Sequence, residues 1–213
     1  MASKFQFDKY TIPERIGSSV TRLFVPLAFF GCSSMFALEI KFNVIYESDT
    51  IGDLRVSKTL SEGEIKFTYR LDLTSTFLFK KIRVQYDMEA TYAKTELRYY
   101  HLVYKINGGV NDDVVMNWET DHYTIKSLKK KDTDRHDFTI NYTTVLLFFG
   151  EPTRRTRVWG ELNCRYQALS RTADLGYAMD TGGGRNNTFY YKAGILVKAF
   201  FDTPVLDFEI LRE

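Results

Sequence analysis

From residue 38 onward, apolar and polar residues alternate with period two. Leu38, Ile40, Phe42, Val44 and Tyr46 share one parity. Ile65, Phe67, Tyr69, Leu71 and Leu73 do the same against Lys66, Thr68, Arg70 and Asp72, and Ile82, Val84, Tyr86, Met88 and Ala90 against Arg83, Gln85, Asp87 and Glu89. Successive side chains of a strand point to opposite faces, so the pattern predicts half-buried antiparallel strands; a helix would scatter these residues around its circumference. Turn signals at Ser48-Asp49, Glu62-Gly63, Asn107-Gly108, Thr120-Asp121 and Gly182-Gly183-Gly184-Arg185 separate the runs and predict hairpins laid out as a meander. The runs at residues 65–77 and 79–92 are longer than a typical strand. A long sheet must hide its apolar face and its edges, so the expected fold is all-β: a curved antiparallel meander forming a barrel or half-barrel, with at most one or two short helices. The best helical candidate is residues 142–149, where Thr143 or Thr144 caps an apolar run ended by Gly150 and Pro152; a buried strand explains that run as well.

Residues 23–37 break the alternation with a short apolar run behind a leader carrying Lys4, Lys9, Arg15 and Arg22. The run falls short of the roughly 20 residues a membrane-spanning helix needs, and Pro26 and Gly31 interrupt it. It is expected to be a secretory signal, which makes residues 1–37 a signal peptide and residues 38–213 a single all-β domain working outside the cytoplasm. Cleavage after Ala37 or Ser34 would release that domain, whereas acylation at Cys32 would tether it to a membrane. A buried hydrophobic N-terminal helix is the remaining reading.

Charge and cysteine usage change the picture further. The chain has 29 basic and 27 acidic residues, and the excess of two disappears with the leader. A domain with no net charge has no bulk field for a phosphate backbone, so nucleic acid is not an expected partner. Cys164 stands alone once Cys32 is removed, and a domain without an internal disulfide must rely on its apolar core. With 17 Phe and 14 Tyr, many on the inward parity, the interior is expected to be roomy enough for a lipid or other apolar small molecule; a fully packed aromatic core is the alternative.

Candidate chemistry is concentrated in residues 149–161. Arg154, Arg155 and Arg157 stand there beside Glu151, Trp159 and Glu161, and guanidinium groups bind carboxylates or phosphates bidentately. The parity places the start of a strand at about Arg157, which would set Arg157, Trp159 and Glu161 in one row, with Arg154 and Arg155 in the loop before it. These residues are expected to converge at one mouth of the sheet and bind a ligand. His101, His122 and His136 lack metal-ligand spacing and read as exposed strand residues; the carboxylates of residues 132–137 lack the glycine and closing Glu of a calcium loop and read as a solvated loop. No nucleophile motif occurs, so no catalytic residue, metal or cofactor is expected.

Three short segments resemble a family of exported bacterial β-proteins known as a domain of unknown function: an opening strand with an Ile-Gly step at residues 46–52, an aromatic-plus-Glu-Pro segment at 148–152 and a closing Tyr-x-x-Gly-x-Leu strand at 191–196. The likeness covers most of residues 38–213, although Gly160 stands where the family tends to have a small or hydroxyl residue. It implies an all-β fold in the periplasm or cell envelope of a bacterium and brings no activity with it. Three functions then compete. The preferred one is a non-enzymatic binder of a hydrophobic or amphiphilic ligand within the curved sheet, with the arginines meeting an acidic headgroup. The others are an envelope hydrolase or lyase using Glu151, Glu161 or His101 as general acid or base, and a structural or partner-binding module.

Overall fold

A computed structural model describes residues 36–77 and 80–213. The expected signal segment and the acylation candidate Cys32 therefore lie outside the described residues, apart from Phe36 and Ala37. The first eight strands are β1 (Phe36–Tyr46), β2 (Asp49–Ser61), β3 (Glu64–Phe77), β4 (Lys80–Ala93), β5 (Glu96–Ile106), β6 (Gly109–Trp118), β7 (Tyr123–Ser127) and β8 (Lys130–His136). A 3-10 helix, Thr144–Phe148, follows. Six more strands complete the chain: β9 (Arg157–Gly160), β10 (Arg165–Arg171), β11 (Tyr177–Gly182), β12 (Arg185–Lys192), β13 (Ile195–Phe201) and β14 (Phe208–Arg212).

All fourteen strands form one antiparallel meander, curved but not closed. β1 pairs with both β2 and β14, so the strand order runs from β8 through β1 to β14 and on to β9, leaving β8 and β9 as the two edges. Hairpin geometry follows from the turn residues. At 47–48, 62–63, 107–108 and 193–194 both turn residues have positive φ, the backbone whose twist matches that of the flanking strands. Gly52, in the predicted Ile-Gly step, is where β2 crowds β3: a Cβ there would lie 2.1 Å from the Asp72 carbonyl oxygen.

Alternation sets the two faces as expected. Ile40, Phe42, Val44, Phe67, Leu71, Met88 and Ala90 are buried on the concave side. The convex face carries cross-strand ion pairs, among them Lys66 with Glu89 at 2.7 Å, Lys198 with Glu209 at 2.8 Å, and Arg83 with Asp72. Each is solvent-exposed and contributes only about 0–1 kcal/mol. Residues 132–137, expected as a loop, instead lie mostly in β8, and a charged edge strand is a means of discouraging further strand pairing.

The chain between β8 and β9 enters the concave side and occupies it. Leu97 N–H donates to Ile140 O at 2.9 Å, Trp159 N–H donates to Tyr142 O at 2.9 Å, and Tyr123 Oη donates to Leu97 O at 2.8 Å while accepting from Ile140 N–H at 3.1 Å. This stretch thus ties β5 and β7 to the edge strand β9. The apolar run that follows is the 3-10 helix. Its Phe148 ring meets Phe42, Tyr69 and Phe189 edge-on at 5.8, 5.3 and 6.3 Å, and so bridges β1, β3 and β12. Buried backbone and hydroxyl groups need partners, and strand tyrosines supply them: Tyr191 Oη donates to Leu147 O at 2.7 Å and Tyr92 Oη to Thr143 Oγ1 at 2.8 Å. Thr143 therefore does not cap the helix with its own side chain.

Candidate functional site

A curved sheet of this many strands encloses more space than its inward side chains fill. The 3-10 helix takes up part of it, and a cavity of about 740 Å³ occupies the rest. One wall is Tyr69, Leu71, Tyr86 and Met88 from β3 and β4; another is Met179, Phe189 and Phe201 from β11 to β13. Phe148, Thr144, Glu161 and Gln167 line the region beside the helix. Lys129, in the β7–β8 turn, and Arg185, at the start of β12, also line it, each near a carboxylate: Lys129 is 3.6 Å from Asp112, and Arg185 is 3.6 Å from Asp202.

The sequence candidates do not converge. β9 does begin at Arg157, but the strand lasts only to Gly160, and residues 161–164 turn away, so the expected row is broken before Glu161. Arg154, Arg155 and Arg157 are exposed. The Arg155 guanidinium lies 4.7 Å from the Tyr142 ring centre and that of Arg157 4.2 Å from the Tyr166 ring centre, cation–π contacts that hold both arginines on the outside. Trp159 is buried with its ring edge-on to His136, Phe138 and Tyr166 at 5.6, 5.7 and 5.3 Å. Glu151 accepts from Tyr177 Oη at 2.9 Å. Of the six candidates only Glu161 lines the cavity.

Glu161 is 1 % exposed. Its carboxylate accepts from Val145 N–H at 3.2 Å and from Thr144 Oγ1, so it caps the start of the 3-10 helix from another part of the chain. Tyr100 Oη donates to Glu161 O at 3.0 Å and lies 3.3 Å from Cys164 Sγ, which pins the 161–164 turn to β5. Burial pushes the Glu161 carboxyl above the usual carboxylate range, a shift the hydrogen bonds partly offset. Burial, with the nearby Glu161 charge second, also raises Tyr69 and Tyr86, so both phenols stay protonated hydrogen-bond donors.

Gln167 completes the group. It lies across Gly160, where a Cβ would come within 2.6 Å of its Oε1, and that oxygen is buried with no hydrogen-bond partner. Its position was open to sequence reasoning, since Gln167 has the same parity as buried Leu169 in β10. Tyr69 and Tyr86 were likewise assigned inward by parity, but nothing in a linear pattern joins them to Glu161. His101 pairs with Asp113 at 2.9 Å between β5 and β6, away from the cavity lining, and His122 lies in the β6–β7 turn rather than a strand.

Among the described residues no cluster of His, Cys, Asp and Glu is arranged to hold a metal ion, and no helix is long and apolar enough to cross a membrane. Cys164 is buried, with its Sγ 3.5 Å from Glu161 O. None of the curated proteins and none of the solved structures matches the chain. Residues 42–213 do match the model of a domain of unknown function, DUF6134, and with most of its length inside that match the chain belongs to this family.

Proposed function

We propose that the domain is a non-enzymatic binding protein that holds an apolar or amphiphilic molecule inside its curved sheet, and that it works in the cell envelope of a bacterium after export. The observation that carries the first part is the cavity of about 740 Å³, within the size range of small-molecule sites, whose lining is more aromatic and aliphatic than polar. Each methylene buried there is worth about 0.8 kcal/mol, so a chain of about twelve carbons offers a gross gain of about 10 kcal/mol against association costs of about 4–15 kcal/mol. Useful affinity therefore needs most of a chain to be enclosed, which an interior cavity allows and a surface groove does not. Export rests on the apolar run at residues 23–37 and its basic leader.

One experiment addresses both parts. Protein isolated from its native envelope is weighed intact and then extracted with organic solvent. The expected outcome is a mass lacking the leader, or one carrying an acyl group, together with a stoichiometric lipid in the extract. A full-length mass from the cytoplasm overturns export, and a lipid-free protein that also fails to take up an apolar fluorescent probe overturns ligand binding. A second reading, an enzyme using Glu161 as general acid or base, draws on the same buried carboxyl beside two tyrosine hydroxyls.

A further inference from the structure

Beside the 3-10 helix the cavity is lined by four polar side chains, from β3, β4, β10 and the turn after β9. Glu161 contributes a carboxyl whose two oxygens face Val145 N–H and Thr144 Oγ1. Gln167, 4 % exposed, contributes an amide oxygen that no group of the protein uses. Tyr69 and Tyr86, their rings 5.2 Å apart, contribute hydroxyls with no hydrogen-bond partner among the described residues. A buried acceptor left unused is costly to the fold alone, and one lying with two hydroxyls that bond no protein group near one carboxyl is expected where a ligand completes the set.

We propose that Gln167, Glu161, Tyr69 and Tyr86 form the headgroup site of the cavity and take the hydroxyl of an uncharged lipid alcohol, its hydrocarbon lying along the apolar wall. This rests on the lumen-binding reading above. A hydroxyl both donates and accepts, so it can donate to Gln167 Oε1 and accept from a tyrosine Oη at the same time. A carboxylate or phosphate head fits poorly, because Lys129 and Arg185, the cations that line the cavity among the described residues, already face Asp112 and Asp202. At the helix end a second anion would meet Glu161 with no counter-charge. An ammonium head would have to shed its water for one carboxylate whose oxygens are already engaged.

The test uses the full chain, delipidated and loaded with the fluorescent probe N-phenyl-1-naphthylamine, from which dodecanol, dodecanoate and dodecylamine are titrated as competitors near neutral pH. Dodecanol is expected to displace the probe at the lowest concentration. Gln167→Met and Tyr86→Phe should each weaken dodecanol relative to the probe by about two- to tenfold, the effect of one neutral hydrogen bond. Tyr86→Phe keeps every ring carbon in place and carries the test if Gln167→Met fails to fold. Dodecanoate or dodecylamine competing as well as dodecanol, or a dodecanol affinity indifferent to both substitutions, overturns the headgroup site and leaves the lumen reading standing. A protein that takes up no probe overturns both.

Discussion

Along β3 and β4 the environment of a residue follows its parity: Phe67, Tyr69, Leu71 and Leu73 are buried, while Lys66, Arg70, Lys81 and Arg83 face water. Across the cavity, on the 3-10 helix, β9 and the turn into β10, parity decides little. Val158, Trp159, Gly160 and Glu161 are buried in succession, although Arg157 immediately before them is exposed. The first wall is a pleat, in which each side chain's surroundings are fixed by its neighbours on the next strand. The second is covered on more than one side, by the crossing chain at residues 138–143 as well as by the cavity lining, so consecutive residues can all be enclosed. The difference teaches where chemistry collects. A regular strand sorts most polar residues outward by parity, whereas a short strand with a glycine, ending in a turn beneath a helix, can hold Glu161 inside.

The largest expected effect tests whether the irregular wall is part of the core. Phe148→Ala removes the ring that joins the 3-10 helix to Phe42, Tyr69 and Phe189 and should destabilise the protein by about 3–5 kcal/mol in denaturant unfolding. A cost under about 1 kcal/mol would mean that the helix merely rests in the sheet, and would break the comparison.

A smaller effect reads the charge held in that wall. The Glu161 carboxyl is raised in the folded protein above its ordinary value of 4.5, so between those two points the folded state binds a proton that the unfolded chain has released. Its contribution to stability is therefore greatest below about pH 4.5 and is lost as pH rises through the folded value. Urea unfolding at a series of pH values should show this falling limb in the native protein and a flatter one in Glu161→Gln. Identical pH profiles would place the carboxyl in a far more solvated setting than its 1 % exposure indicates.

The smallest effect belongs to the arginines outside. Arg157→Ala loses a surface cation–π contact with Tyr166, worth about 0.5–1 kcal/mol, and should leave both the co-purifying lipid and probe affinity unchanged. A loss of bound lipid would reinstate Arg157 as a ligand contact and erase the contrast between the exposed arginines and the enclosed Glu161.

The residues themselves show which features were legible. β1, β3 and β4 stand out because period-two alternation is a local property of the pleat, and their turns because Gly63 and Gly108 adopt a positive φ that few side chains tolerate. The start of β9 at Arg157 is legible for similar local reasons, while the run at residues 142–149 reads equally as helix or buried strand and only the structure makes it the 3-10 helix Thr144–Phe148. The pairing of β1 with β14 was not legible, since it joins Phe42 to Arg212 across almost the whole domain. Nor was the fate of Glu161, which depends on Thr144 and Val145, some sixteen residues earlier in the chain, and on Tyr100, 61 residues away. The sequence by itself determined an all-β meander with an apolar inner face, because alternation and turn chemistry act over two to four residues. Only the tertiary structure decided how far the sheet curls, what occupies its interior, and that Glu161 lies inside while Arg157 stays in water, because burial is a property of contacts between strands distant in the chain.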